Sequence, residues 1–521
     1  MSTTRRALVR SSVLLMCLTA LSQVLGFARD AIMAAVFGAS AEVDAFLVAQ
    51  GLMNVVLGLI SGAMARALVP PVSRAVDAGR TDAGHRTVRV ALTVAMTVLV
   101  LGSVLMAVAA RPVLTVLAPG FEGATMEEAV RLTRIVLAAT VFVSGTNLLA
   151  SAAHAHQRFF WAGFQGIPFN LVMITAVGVF GGTFGAAALA CGFVAGSAAR
   201  FLVQLPAVRA IGLRLRPSFR LRDPGFREML RLVPPLLLGS AIVNVNTMVD
   251  RAVGSAQGAG TIASLSYGWR IVTLAEVVMV TAFTTTLFPA FSTLGTPERR
   301  DQLREATRRV LGVVVVLISP VVVVLAVAAR PIVVLLFARG NFDARAVELT
   351  SLAVATYSVA LAGLAVREVV ARTCLAVGDS RTPVLSALGA MALNVVGDLT
   401  LGMRYGVVGL ALSTSISVVF AATTMSVLTA RRHRAVALGP LVRTTMGVVT
   451  AASVAAVAGW LAQQPLPARP GWPEALLALG VSGSVCLATY LGVLTLLRVS
   501  ALTDVWASLR ELRIGRSAGP A

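Results

Sequence analysis

A handful of charged and amide side chains interrupt the long apolar stretches of this chain, and they set the chemistry open to it. Ser22, Gln23, Arg29 and Asp30 share the first stretch, and Asp44 and Arg66 the second. Asp250 and Arg251 close a later one, followed by Arg270 and Glu276, then Arg367, Glu368 and Arg372, and then Asn394 and Asp398. A charge at the middle of a helix in lipid costs roughly 2.5–3.5 kcal/mol on insertion scales, so each needs a partner, a wet cavity or a task. Arg66, Arg251 and Arg372 lie near the ends of their stretches, where the plainer reading is a side chain reaching to the interface. Arg29 and Arg270 lie deeper. A guanidinium that keeps its proton and offers a planar fork of donors suits phosphate oxygens in such a cavity.

Asn394 and Asp398 are four residues apart and so stack on one helical face. Thr414 in the next stretch and Asp250 add a hydroxyl and a second carboxylate. These are the oxygens a hard cation takes. They are equally the groups that hydrogen-bond helices together in lipid, and spacing alone leaves both readings open. Enzyme chemistry has little footing: there is no G-x-x-x-x-G-K-[ST] loop, nucleophile elbow or H-E-x-x-H. His154 and His156, two apart, share no helical face and are expected at the surface beside Arg158. Cys17, Cys191, Cys374 and Cys486 are scattered at spacings that suggest neither disulfides nor zinc. The chain reads as a non-enzyme.

The elements that must position these groups are transmembrane helices. Only 13% of residues are charged and 57% are hydrophobic, with a mean hydropathy of +0.85. Apolar runs near the 20 or so residues needed to cross a bilayer recur from end to end, and the ten-residue alternating segments of a β-barrel are absent. The net charge of +21 is carried by arginines, which cluster in alternate loops. That is the positive-inside pattern rather than a nucleic-acid face, so no nucleic-acid partner is expected. The first apolar run lacks a small-residue cleavage site and reads as a retained helix.

The expected fold is all-α and integral to the membrane, with about fourteen helices near 7–36, 42–69, 87–110, 129–154, 160–181, 184–210, 226–253, 261–290, 309–329, 345–376, 383–401, 406–429, 443–462 and 474–497. The most basic loops follow even-numbered helices, which puts both termini in the cytoplasm. The basic segment 212–225 divides an N-terminal six-helix lobe, 1–211, from a C-terminal one, 226–430. An additional helix pair, 431–500, and a cytoplasmic tail, 501–521, complete the chain. Lobes meeting around a midplane site are a usual transporter plan. Arg111–Glu128 and Arg330–Glu348 both begin Arg-Pro, run through an apolar stretch and reach Gly and Phe, at equivalent positions of the two halves. That points to a duplicated six-helix unit.

Collinear motifs carry a family resemblance: SQVLGFARDAIMAAVFGASAEVDAFLVA (22–49), LVPPVSR (68–74), LAPGF (117–121), QRFFWAGFQGIPFN (157–170), FLVQLPAVRAIGLRLRP (201–217), FARGNFD (337–343), AVGDSRTPV (376–384) and GVVGLALSTS (406–415). In these the chain resembles the MurJ/MviN lipid II flippases of the multidrug/oligosaccharidyl-lipid/polysaccharide exporter superfamily. The resemblance implies two six-helix lobes around a cationic cavity and a groove formed by the extra pair. It also implies alternating access that carries an undecaprenyl-pyrophosphate-linked glycan, lipid II, from the inner to the outer leaflet of the bacterial cytoplasmic membrane. Possible cell-wall synthesis enzymes would be its partners.

Position by position, the resemblance implies substrate contacts at Arg29, Arg270, Asp44 and Ser22. It further implies Na⁺ as coupling ion, held by Asp250, Asn394, Asp398, Thr414 and the Leu410 carbonyl. The chain departs from the family at Gln23 and about Leu57, where arginines are usual, at Ser61-Gly62-Ala63-Met64, and at Thr273, where an acid is usual. Those departures keep in play a second reading, a MATE-like exporter of a small amphipathic compound or of another polyprenyl-linked glycan, and a third, a non-transporting scaffold.

Overall fold

The computed structural model describes residues 2–54, 58–465, 471–499 and 501–502, and among these every regular element is helical. The position read at about Leu57 lies outside the described residues. Two compact units divide the chain: Met1–Ala263 with Arg339–Asp343, and Ser264–Ala338 with Ala344–Ala521. Ten helical stretches among the described residues are long and apolar enough to cross a membrane.

The helices of unit one are α1 (Ser2–Phe37), α2 (Ala41–Met53), α3 (Leu59–Asp77), α4 (Thr81–Val108), α5 (Ala110–Leu117), α6 (Gly123–Leu137), α7 (Ala139–Ala155), α8 (Phe160–Phe164), α9 (Gly166–Phe184), α10 (Ala186–Leu202), α11 (Leu205–Ala210) and α12 (Pro224–Ser255). Ordinary side-chain caps mark the starts of α2 and α12. The Ser40 hydroxyl accepts from Val43 N–H before α2. Asp223 accepts from Phe226 N–H at 3.0 Å, with Pro224 opening α12. The same carboxylate accepts from the Thr87 hydroxyl at 2.7 Å, tying α12 to α4. In lipid, helices gain no hydrophobic drive from meeting one another, so small residues that let backbones close in carry the association. Gly196 does this for α9 and α10: a Cβ there would come 3.0 Å from the Phe169 ring and 3.1 Å from its carbonyl oxygen.

Unit two holds α13 (Thr261–Thr293) from Ser264 onward, then α14 (Arg300–Val327), α15 (Ala329–Phe337), α16 (Ala344–Ala376), α17 (Arg381–Gly397), α18 (Met403–His433), α19 (Leu438–Gln463) and α20 (Trp472–Leu496). A π-helical turn, Asp398–Gly402, follows α17, and Gly406, at φ +58°, breaks the start of α18. Only glycine takes that backbone conformation at little cost. At the start of α17, Asp379 accepts from Arg381 N–H (2.9 Å), Thr382 N–H (3.0 Å) and the Thr382 hydroxyl (2.6 Å), and pairs with His433 Nε2 at 2.7 Å. Burial alone would raise this carboxyl, but the bonds from Thr382, His433 and Arg381 outweigh it and hold it well below the usual carboxylate range. The C-terminal pair α19 and α20 docks on α14 through Val315, Val316, Val323, Ala451, Ala455, Tyr490 and Leu494. The Tyr490 hydroxyl, shut away from water, donates to the Val316 carbonyl at 2.8 Å.

The duplicated segments share one construction. Helices α4 and α14 each run 28 residues and end at an alanine, Ala109 or Ala328, that leaves helical geometry. Each Arg-Pro segment, expected as a connection, forms a short helix, α5 or α15. Helical stretches of 33 residues follow in both halves, Gly123–Ala155 and Ala344–Ala376. The first is divided at Ala138 into α6 and α7, where one long helix is expected. The expected second helix is covered by α2 and α3, and residues 55–57 between them lie outside the described residues.

Candidate functional site

In unit one the deep polar residues of α1 meet α9, and Arg200 of α10 converges on the same part of α9. Arg29 places Nε and Nη2 on the same Asp30 oxygen, at 2.9 and 2.7 Å, and Nη1 on Asn170 Oδ1 at 3.3 Å. The Asn170 amide donates in turn to the Ser22 carbonyl at 3.1 Å, and Gly166 leaves room for the Ser22 hydroxyl against α9. The Arg29 guanidinium lies 5.8 Å from the centre of the Phe169 ring, and Arg200 of α10 lies 5.7 Å from the same ring. Arg200 also reaches Gln165 Oε1 at 3.4 Å. Arg29 and Ser22 are thus joined through Asn170. Asn170, Phe169 and Arg200 escape a reading by spacing, although one signal was there: Arg200 is the lone charge between Arg158 and Arg209.

Asp44 sits elsewhere in unit one. Fully buried, its two oxygens accept from Gly260 N–H and Ala263 N–H, each at 2.7 Å. A carboxylate there caps the first turn of α13, whose unpaired N–H groups and dipole favour an anion. Arg251, expected to reach for the interface, instead turns onto α2: its guanidinium donates to the Leu47 carbonyl, in space that Gly51 leaves open. Desolvation explains the difference, since a backbone carbonyl within reach is a better partner than lipid. Asp250 precedes it, half-buried, at the end of α12. His154 and His156, expected at the surface, are half-buried; His156 lies 5.4 Å from the His85 ring and His154 5.2 Å from Phe159.

Unit two carries the other residues. Arg270 is half-buried on α13, and Thr273, one turn on, spends its hydroxyl on the carbonyls of Trp269 (3.0 Å) and Arg270 (3.2 Å). Arg372 pairs with Glu368 at 2.7 Å along α16. Asn394 and Asp398, 1% and 0% exposed, face one another as their spacing predicts, with the amide donating to the carboxylate at 2.6 Å. Helix α18 closes on this pair. Ser417 donates to Asn394 Oδ1 at 3.0 Å, Ser413 to the Asn394 carbonyl at 2.9 Å, and Thr414 to the Leu410 carbonyl at 3.2 Å. Carboxylate, amide, hydroxyl and carbonyl oxygens on two adjoining helices have the chemistry of a hard-cation site. Ser413 and Ser417 join the cluster unannounced, since serine is common in membrane helices and their spacing singles out neither. Asp250 belongs to unit one, Asn394, Asp398, Leu410 and Thr414 to unit two.

The family model described as "Lipid II flippase MurJ" matches residues 33–469. A Burkholderia cenocepacia protein named lipid II flippase MurJ is 28% identical over 411 residues, which cover 76% of this chain and 78% of that protein. Among solved structures, a lipid II flippase MurJ in an inward closed conformation aligns at a TM-score of 0.78 and 19% identity, over 92% of this chain and 98% of that one. An inward-facing multidrug resistance MATE family transporter of the MOP superfamily aligns at 0.66 and 15%, over 81% and 98%. Those two alignments bear on the fold alone.

Proposed function

The chain belongs to the lipid II flippase MurJ family, and we propose that it moves lipid II from the inner to the outer leaflet of the bacterial cytoplasmic membrane by alternating access. The family match across residues 33–469 carries this reading. The fold suits it: a multi-pass helical body whose deep polar groups could receive a charged headgroup while the polyprenyl tail stays in lipid. On this reading the two six-helix lobes meet at the sequence-read linker 212–225, both termini lie in the cytoplasm, and cell-wall synthesis enzymes supply and consume the lipid.

Arg29 and Arg270 are assigned to the pyrophosphate, because fork-shaped permanent cations match its oxygens. Ser22 helps to fix the α1–α9 contact beside Arg29. Asp44, with both oxygens taken by backbone N–H groups, is assigned to holding the start of α13 in place. Asp250, Asn394, Asp398, Leu410 and Thr414 are the residues that would hold Na⁺, whose binding would supply coupling to an ion gradient. Their donor set fits a hard cation.

The test is complementation of a flippase-depleted bacterium, with the leaflet distribution of lipid II followed directly. Wild type is expected to rescue growth and to lower inner-leaflet lipid II, whereas Arg29→Ala and Arg270→Ala insert normally and do neither. Rescue by both variants would remove the phosphate-binding role. A wild type that leaves lipid II in the inner leaflet, yet exports a small amphipathic cation, would replace the flippase by the MATE-like reading.

A further inference from the structure

The unit-one cluster contains a second guanidinium that differs in kind from the first. Arg29 is charge-compensated: Asp30 takes two of its donors, so the pair as a whole is neutral. Arg200 has no carboxylate. Its one side-chain acceptor among the described residues is the neutral Gln165 amide, at 3.4 Å, and its Nε is buried with no acceptor at all. A permanent cation among apolar helices with this little to bond is costly unless something else supplies the anion. The ring of Phe169 holds both guanidinium groups, at 5.8 and 5.7 Å, so the two charges lie no farther apart than those distances laid end to end. The aromatic face attracts each cation and keeps both in place without neutralising either. Gly196 lets α10 approach Phe169 closely enough for the arrangement to form.

We propose that Arg200 is a substrate-binding residue that, together with Arg29 across Phe169, seats the diphosphate of the lipid-linked substrate. This rests on the flippase reading. Arg200 supplies the net positive charge that the Arg29–Asp30 pair lacks, and its unused donors meet the second phosphate. A monophosphate, needing one fork, depends on Arg200 far less.

Purified wild type, Arg200→Gln and Arg200→Lys in nanodiscs, titrated with undecaprenyl pyrophosphate and with undecaprenyl monophosphate, test this, alongside thermal melting and complementation. The expected result is that Arg200→Gln binds the diphosphate lipid about tenfold more weakly or worse, as for a lost charge-assisted fork. It should bind the monophosphate within about threefold of wild type and melt at the wild-type temperature, with Arg200→Lys in between. Four results would overturn the proposal: diphosphate binding by Arg200→Gln within about threefold of wild type, equal losses for the two lipids, losses that follow a lowered melting temperature in both variants, or a wild type that binds neither lipid. Rescue and binding by wild type and Arg200→Gln alike would sink the Arg200 assignment and leave the flippase reading standing. Failure of wild type in both assays would sink the two together.

Discussion

The polar clusters of the two units lie in similar apolar surroundings and are built on opposite terms. Around Phe169, Arg29 and Arg200 bring more N–H donors than Asp30, Asn170 and Gln165 accept. Around Asn394, hydrogen bonds link the amide to the Asp398 carboxylate and the hydroxyls of Ser413 and Ser417 to Asn394, within α17, the π turn and α18. An interlinked network stabilises the helices that share it, and losing one member strands the groups bonded to it. An open one contributes little to stability and gains its partners from outside. On the proposed reading, the contrast separates residues that would serve substrate from residues that hold helices together.

The contrast can be broken by stability measurements. Asn394→Leu removes the donor to Asp398 and the acceptor of Ser417 at once, and should cost about 3 kcal/mol or more; denaturant unfolding in detergent checks it. A cost under about 1 kcal/mol would mean that these hydrogen bonds do not hold the helices together. Asp398→Ala should cost somewhat less, about 2 kcal/mol for the stranded amide, and should abolish any rise in melting temperature on adding NaCl in place of choline chloride. If wild type shows no such rise, the cluster holds helices together and no cation. Gly196→Ala, in unit one, should cost the least, about 1–2 kcal/mol from overpacking against Phe169, yet depress binding of the diphosphate lipid because it moves the ring that positions both arginines. Unchanged binding would detach Phe169 from the site.

Much of this was open to reading in the sequence, and the physics says which part. Apolar length and arginine placement report membrane helices because lipid tolerates so few alternatives. The Asn394–Asp398 contact was visible because a spacing of four is itself a contact on a helix. Breaks at Ala138 and Gly406 were hidden, since hydropathy runs on unbroken through both. Asp44 looked like a cavity residue because nothing near it shows that its partners are N–H groups 216 and 219 residues away. Arg200 was missed for the same reason: its meaning comes from Phe169 and Gln165, on another helix 35 residues back in the case of Gln165.

The loop after α15 has a consequence for assembly. Asn341 donates through its backbone to the Ala35 carbonyl at 2.8 Å and through its amide to the Val36 carbonyl at 2.7 Å, and Gly340, at φ +58°, lets the chain lie against Ala35. Those carbonyls belong to the last turn of α1, and their partner is made 305 residues later. Through most of synthesis the end of α1 is therefore uncapped, and its final turn is set only when the second half arrives. Helix α1 thus inserts early and finishes folding late, so a chain truncated before residue 339 should leave the C-terminal end of α1 accessible to exchange and proteolysis even where every span between is in place.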